Sequence, residues 1–325
     1  MSNLLIGALG VLLATNSAVA ASNLVVKPAG VTVAATNLTD PLEQEFQKLL
    51  ADDDAAQAEV DKWIQENQKF AAEGAGAANA ELNLRIRKRF EPVRQAYEDF
   101  LKQNPKHVRA RVGYASFLGD TGDEEGSHEQ LEIARELDPK DPAIWNNLAN
   151  YYGHRGPVTN AFEYYKKAIA LDPNEPVYYH NFGTTVFLFR VDAMSHYQIN
   201  EQQVFDKALE LYGQAMKHAP ADFPLASDVA QTYYGIKPPR TEEALRSWTN
   251  AFRLARDDIE REGVQVHFAR VKTHSGRFAE AHAHLDNITN AMYADLKKRL
   301  VATLQQKETE ARGTNAPPTA TDAKP

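Results

Sequence analysis

Apolar residues along this chain recur three and four apart, and the turn residues between them fall at regular intervals. Helix formers dominate from residue 40 to about residue 311, with no run that alternates in the manner of strands. Asp40 is placed to cap a first helix, with Pro41 at its first position and Glu43 completing a pattern like a capping box. A second helix is expected over roughly 55–72, carrying Val60, Trp63, Ile64 and Phe70 and ended by Gly74 and Gly76. A third is expected to open near Asn79, its candidate N-cap, and Pro92 to start a fresh helix that runs to about Gln103.

The turn markers then become periodic. Asn104-Pro105, Asp138-Pro139 and Asp172-Pro173 are 34 residues apart, as are Leu131 and Tyr165, and Ala134 and Ala168. A period of that length holds two helices of about a dozen residues and two short turns. Such a hairpin has an apolar face that it cannot bury alone, so hairpins must stack.

The clearest unit, Pro142 to Glu175, carries Trp145, Leu148-Ala149, Tyr152, Gly156, Ala161, Tyr165, Ala168 and Pro173. With that spacing the chain resembles the tetratricopeptide repeat. The resemblance implies an all-α fold: a right-handed superhelical solenoid of hairpins, with extra N-terminal helices and a C-terminal capping helix. Small Ala149 and Ala161 suit close approach of paired helices, Trp145, Leu148, Tyr152 and Tyr165 suit the space between hairpins, and Pro173 suits the helix end. Asp141 is the expected N-cap.

Five repeats follow from that register: 108–141, 142–175, 176–222, 223–261 and 262–288, with a capping helix over 289–311. The first has Arg111 where the signature has Trp and Ser127 where it has Ala. The third starts with Tyr179, Phe182-Gly183 and Val186 and holds 13 extra residues between Phe189 and Gln203, read as a lengthened first helix and turn. Asn200 with Gln203 is the expected N-cap of its second helix. The fourth carries Val229-Ala230, Tyr233, Ala244, Trp248 and Ala251; the fifth carries Phe268-Ala269, Gly276, Phe278, Ala281, Leu285 and Ile288. Residues 40–104 are N-terminal helices ending in a half-repeat, and 40–90 match no repeat.

The two ends read differently. Leu4 to Ala14 is an apolar run too short to span a bilayer. Followed by Ala18-Val19-Ala20, it has the form of a secretory signal over 1–20, although its start has no Lys or Arg. Residues 21–39 read as a linker and 312–325 as a disordered tail rich in Pro, Ala and Thr. The expected location is exported, periplasmic or extracellular, with no integral membrane span after cleavage.

Composition narrows the chemistry. The 325 residues carry a formal net charge of -8, which disfavours a nucleic-acid partner, and removing residues 1–20 leaves it unchanged. Absence of cysteine excludes disulfides, thiolate metal sites and cysteine nucleophiles. No Gly-rich phosphate loop, Gly-x-Ser-x-Gly elbow or His-Glu-x-x-His motif occurs. No catalytic residue, cofactor or metal is expected. His267, His274, His282 and His284 are the candidates for the alternative, a metal-dependent envelope enzyme. The basic run Arg85, Arg87, Lys88, Arg89 and Arg94 is expected to be solvated or paired internally, with Asp52-Asp53-Asp54 available. One tyrosine of each pair 151–152, 164–165 and 178–179 is expected in the core.

The resemblance implies a concave face, built mainly by the first helices, that binds a protein partner's peptide or helix. The family's usual groove positions fall on Asn146, Asn150, His180, Thr184, Ser227, Gln231 and Arg270. Grooves of the family that grip a C-terminal carboxylate use Lys with Arg and Asn. Here the best unit offers Asn146 and Asn150 and no Lys, which departs from that pattern. The expected function is a non-enzymatic interaction scaffold of the cell envelope, with a structural subunit of an envelope assembly as the alternative. Cleavage after Ala20 predicts that N-terminal sequencing of protein from its native cells starts at Ala21; a retained Met1 would contradict export by this signal.

Overall fold

The computed structural model describes residues 40–72 and 79–314. The segments read as signal, linker and most of the tail lie outside the described residues. All regular structure among the described residues is helical. The chain divides into two compact units at Gln198, inside the insertion.

Unit 1 holds α1 (Pro41–Ala72), α2 (Asn79–Gln103), α3 (Val108–Asp120), α4 (Glu124–Leu137), α5 (Pro142–Arg155), α6 (Val158–Leu171), α7 (Pro176–Leu188) and α8 (Arg190–Tyr197). Successive helices pack as hairpins: α1 with α2, α3 with α4, and α5 with α6. Each second helix packs on the next first helix, and first helices also touch in series, α1 with α3 and α5 with α7. Phe46, Tyr97, Phe100, Tyr114 and Phe117 form the core between the first two hairpins. Val112, Leu131, Ala134, Ile144 and Leu148 form the next. Ala149 and Ala161 have no exposed surface, as close helix approach requires.

Two differences from the sequence reading lie in the first hairpin. α1 is one helix of 32 residues and not two. Three consecutive Asp residues weaken a helix because their side chains compete for the backbone. Here those side chains are engaged elsewhere: Tyr97 donates to Asp53 at 2.8 Å and Arg89 to Asp52 at 3.3 Å. α2 likewise runs through Pro92 instead of starting there. The missing donor and ring clash of an internal proline are offset by burial of Val93, Tyr97 and Phe100 on the following turns. The expected internal pairing of the basic run holds for Arg89, which also meets Glu59 at 2.9 Å, and for Arg94, which meets Asp123 at 3.3 Å. Arg85 lies 3.7 Å over the ring of Trp63.

A repeated clasp joins the turns. The Trp145 indole N–H donates to the carbonyl of Pro139 at 2.9 Å. One period later the Tyr179 hydroxyl donates to the carbonyl of Pro173 at 3.0 Å. One period earlier Arg111 donates to the carbonyl of Pro105 through Nε and Nη2 at 2.9 and 2.7 Å. The same turns are fixed by N-caps at His107, Asp141 and Glu175, again 34 apart. Trp145 is therefore partly exposed, and Ile144 takes the buried place expected of it. In α7 Tyr178 is buried and Tyr179 clasps the turn.

The insertion does not lengthen α7. It forms α8, which packs on α6 and α7 and is followed by Gln198 in the left-handed region at φ 54. Ala193 is fully buried, His196 Nε2 lies 3.1 Å from Glu163, and Lys166 sits 5.1 Å over the Tyr197 ring.

Unit 2 holds α9 (Glu201–His218), α10 (Phe223–Thr232), α11 (Thr241–Leu254), α12 (Asp258–His274), α13 (Phe278–Asp286) and α14 (Ala294–Thr314). Asn200 and Gln203 form the expected capping box on α9. α10 pairs with α11 and α12 with α13, and α14 packs on α12 and α13. α14 reaches Thr314, past the point at which the tail was expected to start. Trp248 is fully buried between the two hairpins with Ala230, Ala251 and Val264 around it. The turn after α12 needs glycine, since Gly276 has φ 75.

If the clasp contributes as an ordinary hydrogen bond, Trp145→Phe lowers unfolding stability by about 1 kcal/mol. Urea unfolding measures it, and an unchanged midpoint would show that the Pro139 contact contributes nothing.

Candidate functional site

The first-helix faces carry the polar rows that the repeat register singles out. In unit 1 most of that row is turned to internal use. Asn146 is 4% exposed, and its Oδ1 accepts from Asn181 Nδ2 of the next first helix at 3.1 Å. Its own amide N–H donates to Asn147 Oδ1 at 3.3 Å. Asn150 Oδ1 accepts from the Tyr165 hydroxyl at 2.6 Å. Thr185 Oγ lies 3.2 Å from that hydroxyl and 2.9 Å from the carbonyl of Asn181. Burial raises the Tyr165 phenol far above the usual range, with the Thr185 contact opposing it. His180 and Thr184 are partly buried and also engaged within the chain. Fixing the Asn150 oxygen leaves its NH2 group as the half able to donate outward.

Unit 2 is arranged differently. Ser227 is 5% exposed, and Gln231 Nε2 donates to its Oγ at 3.4 Å. Beyond Thr232 the chain tightens into a 3-10 turn over Tyr233–Gly235, which carries Tyr234. Asp257 caps α12, with Glu260 N donating to its Oδ1 at 2.8 Å. His267 and Arg270, three apart on that helix, fall on one face. His267 stacks on Trp248 with ring centroids 3.9 Å apart and planes 8° apart. Its Nδ1 lies 2.9 Å from the Tyr234 hydroxyl. The Arg270 guanidinium lies 5.2 Å over the Tyr234 ring. Arg270 forms no ion pair among the described residues. Burial, with the Arg270 charge adding to it, lowers the His267 pKa from 6.5 to about 3. A neutral imidazole therefore holds Tyr234, and Tyr234 supports a cation that has no acidic partner.

The seven expected groove residues thus fall into two sets, four in unit 1 and three in unit 2. Asn146 and Ser227 are buried, Asn150 is half-committed, and Gln231 and Arg270 are partly exposed. Sequence reasoning did not single out Asn181, Tyr234 or Trp248 for these roles. Asn181 lay 35 residues after Asn146, one step off the period, and Tyr234 followed the repeat position at Tyr233. The four histidines weighed for a metal have separate partners: His274 meets the Arg270 carbonyl, His282 meets Glu308, and His284 meets Gln265 and Lys272. No cluster of three or more potential metal ligands occurs among the described residues.

Residues 118–176 match the family model described as tetratricopeptide repeat. That segment of the chain carries tetratricopeptide repeats. The matched span covers the hairpin α5–α6 and the turns that clasp it. Among solved structures, PilW, described as a widely conserved type IV pilus biogenesis factor, aligns with a TM-score of 0.52 at 14% identity. That alignment covers 75% of this chain and 98% of PilW, and it shows likeness of fold. PilF of Pseudomonas aeruginosa aligns at 0.47 and 14% identity, covering 79% of this chain and 99% of that one. MamA aligns at 0.41 and 21% identity, covering 55% and 95%. No curated protein matches the sequence. No described helix is long and apolar enough to cross a membrane.

The depressed His267 pKa has a signed consequence. The unfolded chain takes up a proton near 6.5 that the folded protein refuses until about 3. Stability from this group is complete above about 6.5 and is lost as pH falls toward 3. NMR titration of the imidazoles should find His267 still neutral at pH 5. A His267 that titrates near 6.5 would mean that the Trp248 stack is open in solution.

Proposed function

We propose that this protein is a non-enzymatic scaffold that binds a protein partner's peptide or helix on the first-helix faces of its repeats. The observation that carries the reading is Arg270, an ion-pair-free cation among the described residues, held over Tyr234 on the first-helix face of α12. An acidic segment of a partner complements it, because a guanidinium pairs two donors with one carboxylate. The sequence of residues 1–20 supports placing this scaffold outside the cytoplasm, in the cell envelope.

A photo-crosslinking residue in place of Gln231 tests the face in native cells. It should give a discrete adduct whose yield falls several-fold when Arg270→Gln is added. The same residue at Arg253, an exposed site on α11, should give none. Equal adducts from both positions, or no effect of Arg270→Gln, would remove the assignment.

A further inference from the structure

A second site lies in unit 2 and shares no lining residue with the Arg270 set. α9, α10 and α11 meet around a cleft of about 410 Å³. That is the lower part of the range for small-molecule sites, roughly 300–1,000 Å³. Met216 of α9 and Val229 of α10 give it an apolar side, together with Tyr233. The other side comes from α11, where Glu243, Arg246, Ser247 and Asn250 line the cleft. Their spacing of three, four and seven puts them in one row along the helix.

The charges in this row are unequal. Glu243 is answered by the protein itself, since Arg240 lies 3.9 Å away. Arg246 is exposed and has no ion pair among the described residues. Ser247 and Asn250 make no side-chain hydrogen bond among them either. The cleft therefore presents one uncompensated cation, an amide and a hydroxyl beside an apolar wall. One guanidinium matches one carboxylate in charge and in its pair of donors, and the Asn250 NH2 and Ser247 hydroxyl supply further donors. A doubly charged phosphate would leave one negative charge unanswered next to Glu243.

We infer that this cleft binds an amphipathic monocarboxylate, with its carboxylate on Arg246 and an apolar arm against Met216, Val229 and Tyr233. The unbranched Met216 side chain suits arms of differing shape. A fatty acid and an apolar peptide C-terminus share this chemistry. The site shares no residue with the partner face, although α10 contributes to both, and its polar row comes from the second helix α11.

Isothermal titration of the full chain tests it, with decanoate and N-acetyl-phenylalanyl-leucine as probes and the neutral amide of each as control. At least one acid should bind saturably at one site with Kd below about 1 mM, and its amide should not. Which acid binds identifies the source. Arg246→Gln should weaken binding by about tenfold or more, while Arg270→Gln leaves it unchanged. Because Arg246 is exposed and without an ion pair, its variant should keep the wild-type unfolding midpoint. Three results would each overturn the site: neither acid binds, the amides bind as well, or Arg246→Gln binds as the wild type does. Loss of binding in Arg270→Gln alone would move the carboxylate to the first-helix face and equally overturn it.

Discussion

Polar side chains on one first helix must find partners once the next hairpin covers them. A buried amide without partners costs about 1–3 kcal/mol, more than most surface contacts return. Much of this chain's polar surface is organised by that constraint. In unit 1 Asn146 lies under the next hairpin, and Asn181 is there to meet it at 3.1 Å. Tyr165, fully buried on the second helix, reaches Asn150 and Thr185 from below. The residues that a peptide-binding repeat would present are here partly used to join repeats. In unit 2 Gln231 meets Ser227, and Trp248, His267 and Tyr234 carry the junction between hairpins. That leaves Arg270 as a presented charge.

The turns obey a second, simpler rule. A proline ends each second helix of unit 1 and its carbonyl is left without a helical donor. Arg111, Trp145 and Tyr179 each supply that donor from the following first helix. The three side chains share only an N–H or O–H at the right reach, which explains why Arg can stand where the repeat signature has Trp. Spacing is conserved along the chain because the clasp needs a distance of six residues.

This is also why the stack could be read from the sequence and the rows could not. Periodic Asn-Pro and Asp-Pro pairs, small Ala149 and Ala161, and caps such as Asp141 are local signals, visible without tertiary structure. The continuity of α1 through Asp52-Asp53-Asp54 depends on Tyr97 and Arg89, some forty residues away along the chain. Passage of α2 through Pro92 depends on the core that Val93 and Tyr97 enter. Neither is legible in a local pattern. The groove positions were located by register, yet register does not say which of them face a neighbour. Asn146 and Gln231 have the same polarity, and only the hairpin beyond decides which is covered. His267 reads as a metal candidate in the sequence because its stacking partner, Trp248, lies on another helix.

The most direct test compares the thermal unfolding midpoints of Asn146→Ala and Arg270→Gln with that of the wild type. If the covered amide joins repeats and the cation is presented, Asn146→Ala loses about 1–3 kcal/mol. Arg270→Gln then stays within about 0.5 kcal/mol of the wild type. A neutral Asn146→Ala together with a destabilised Arg270→Gln would contradict this division of roles.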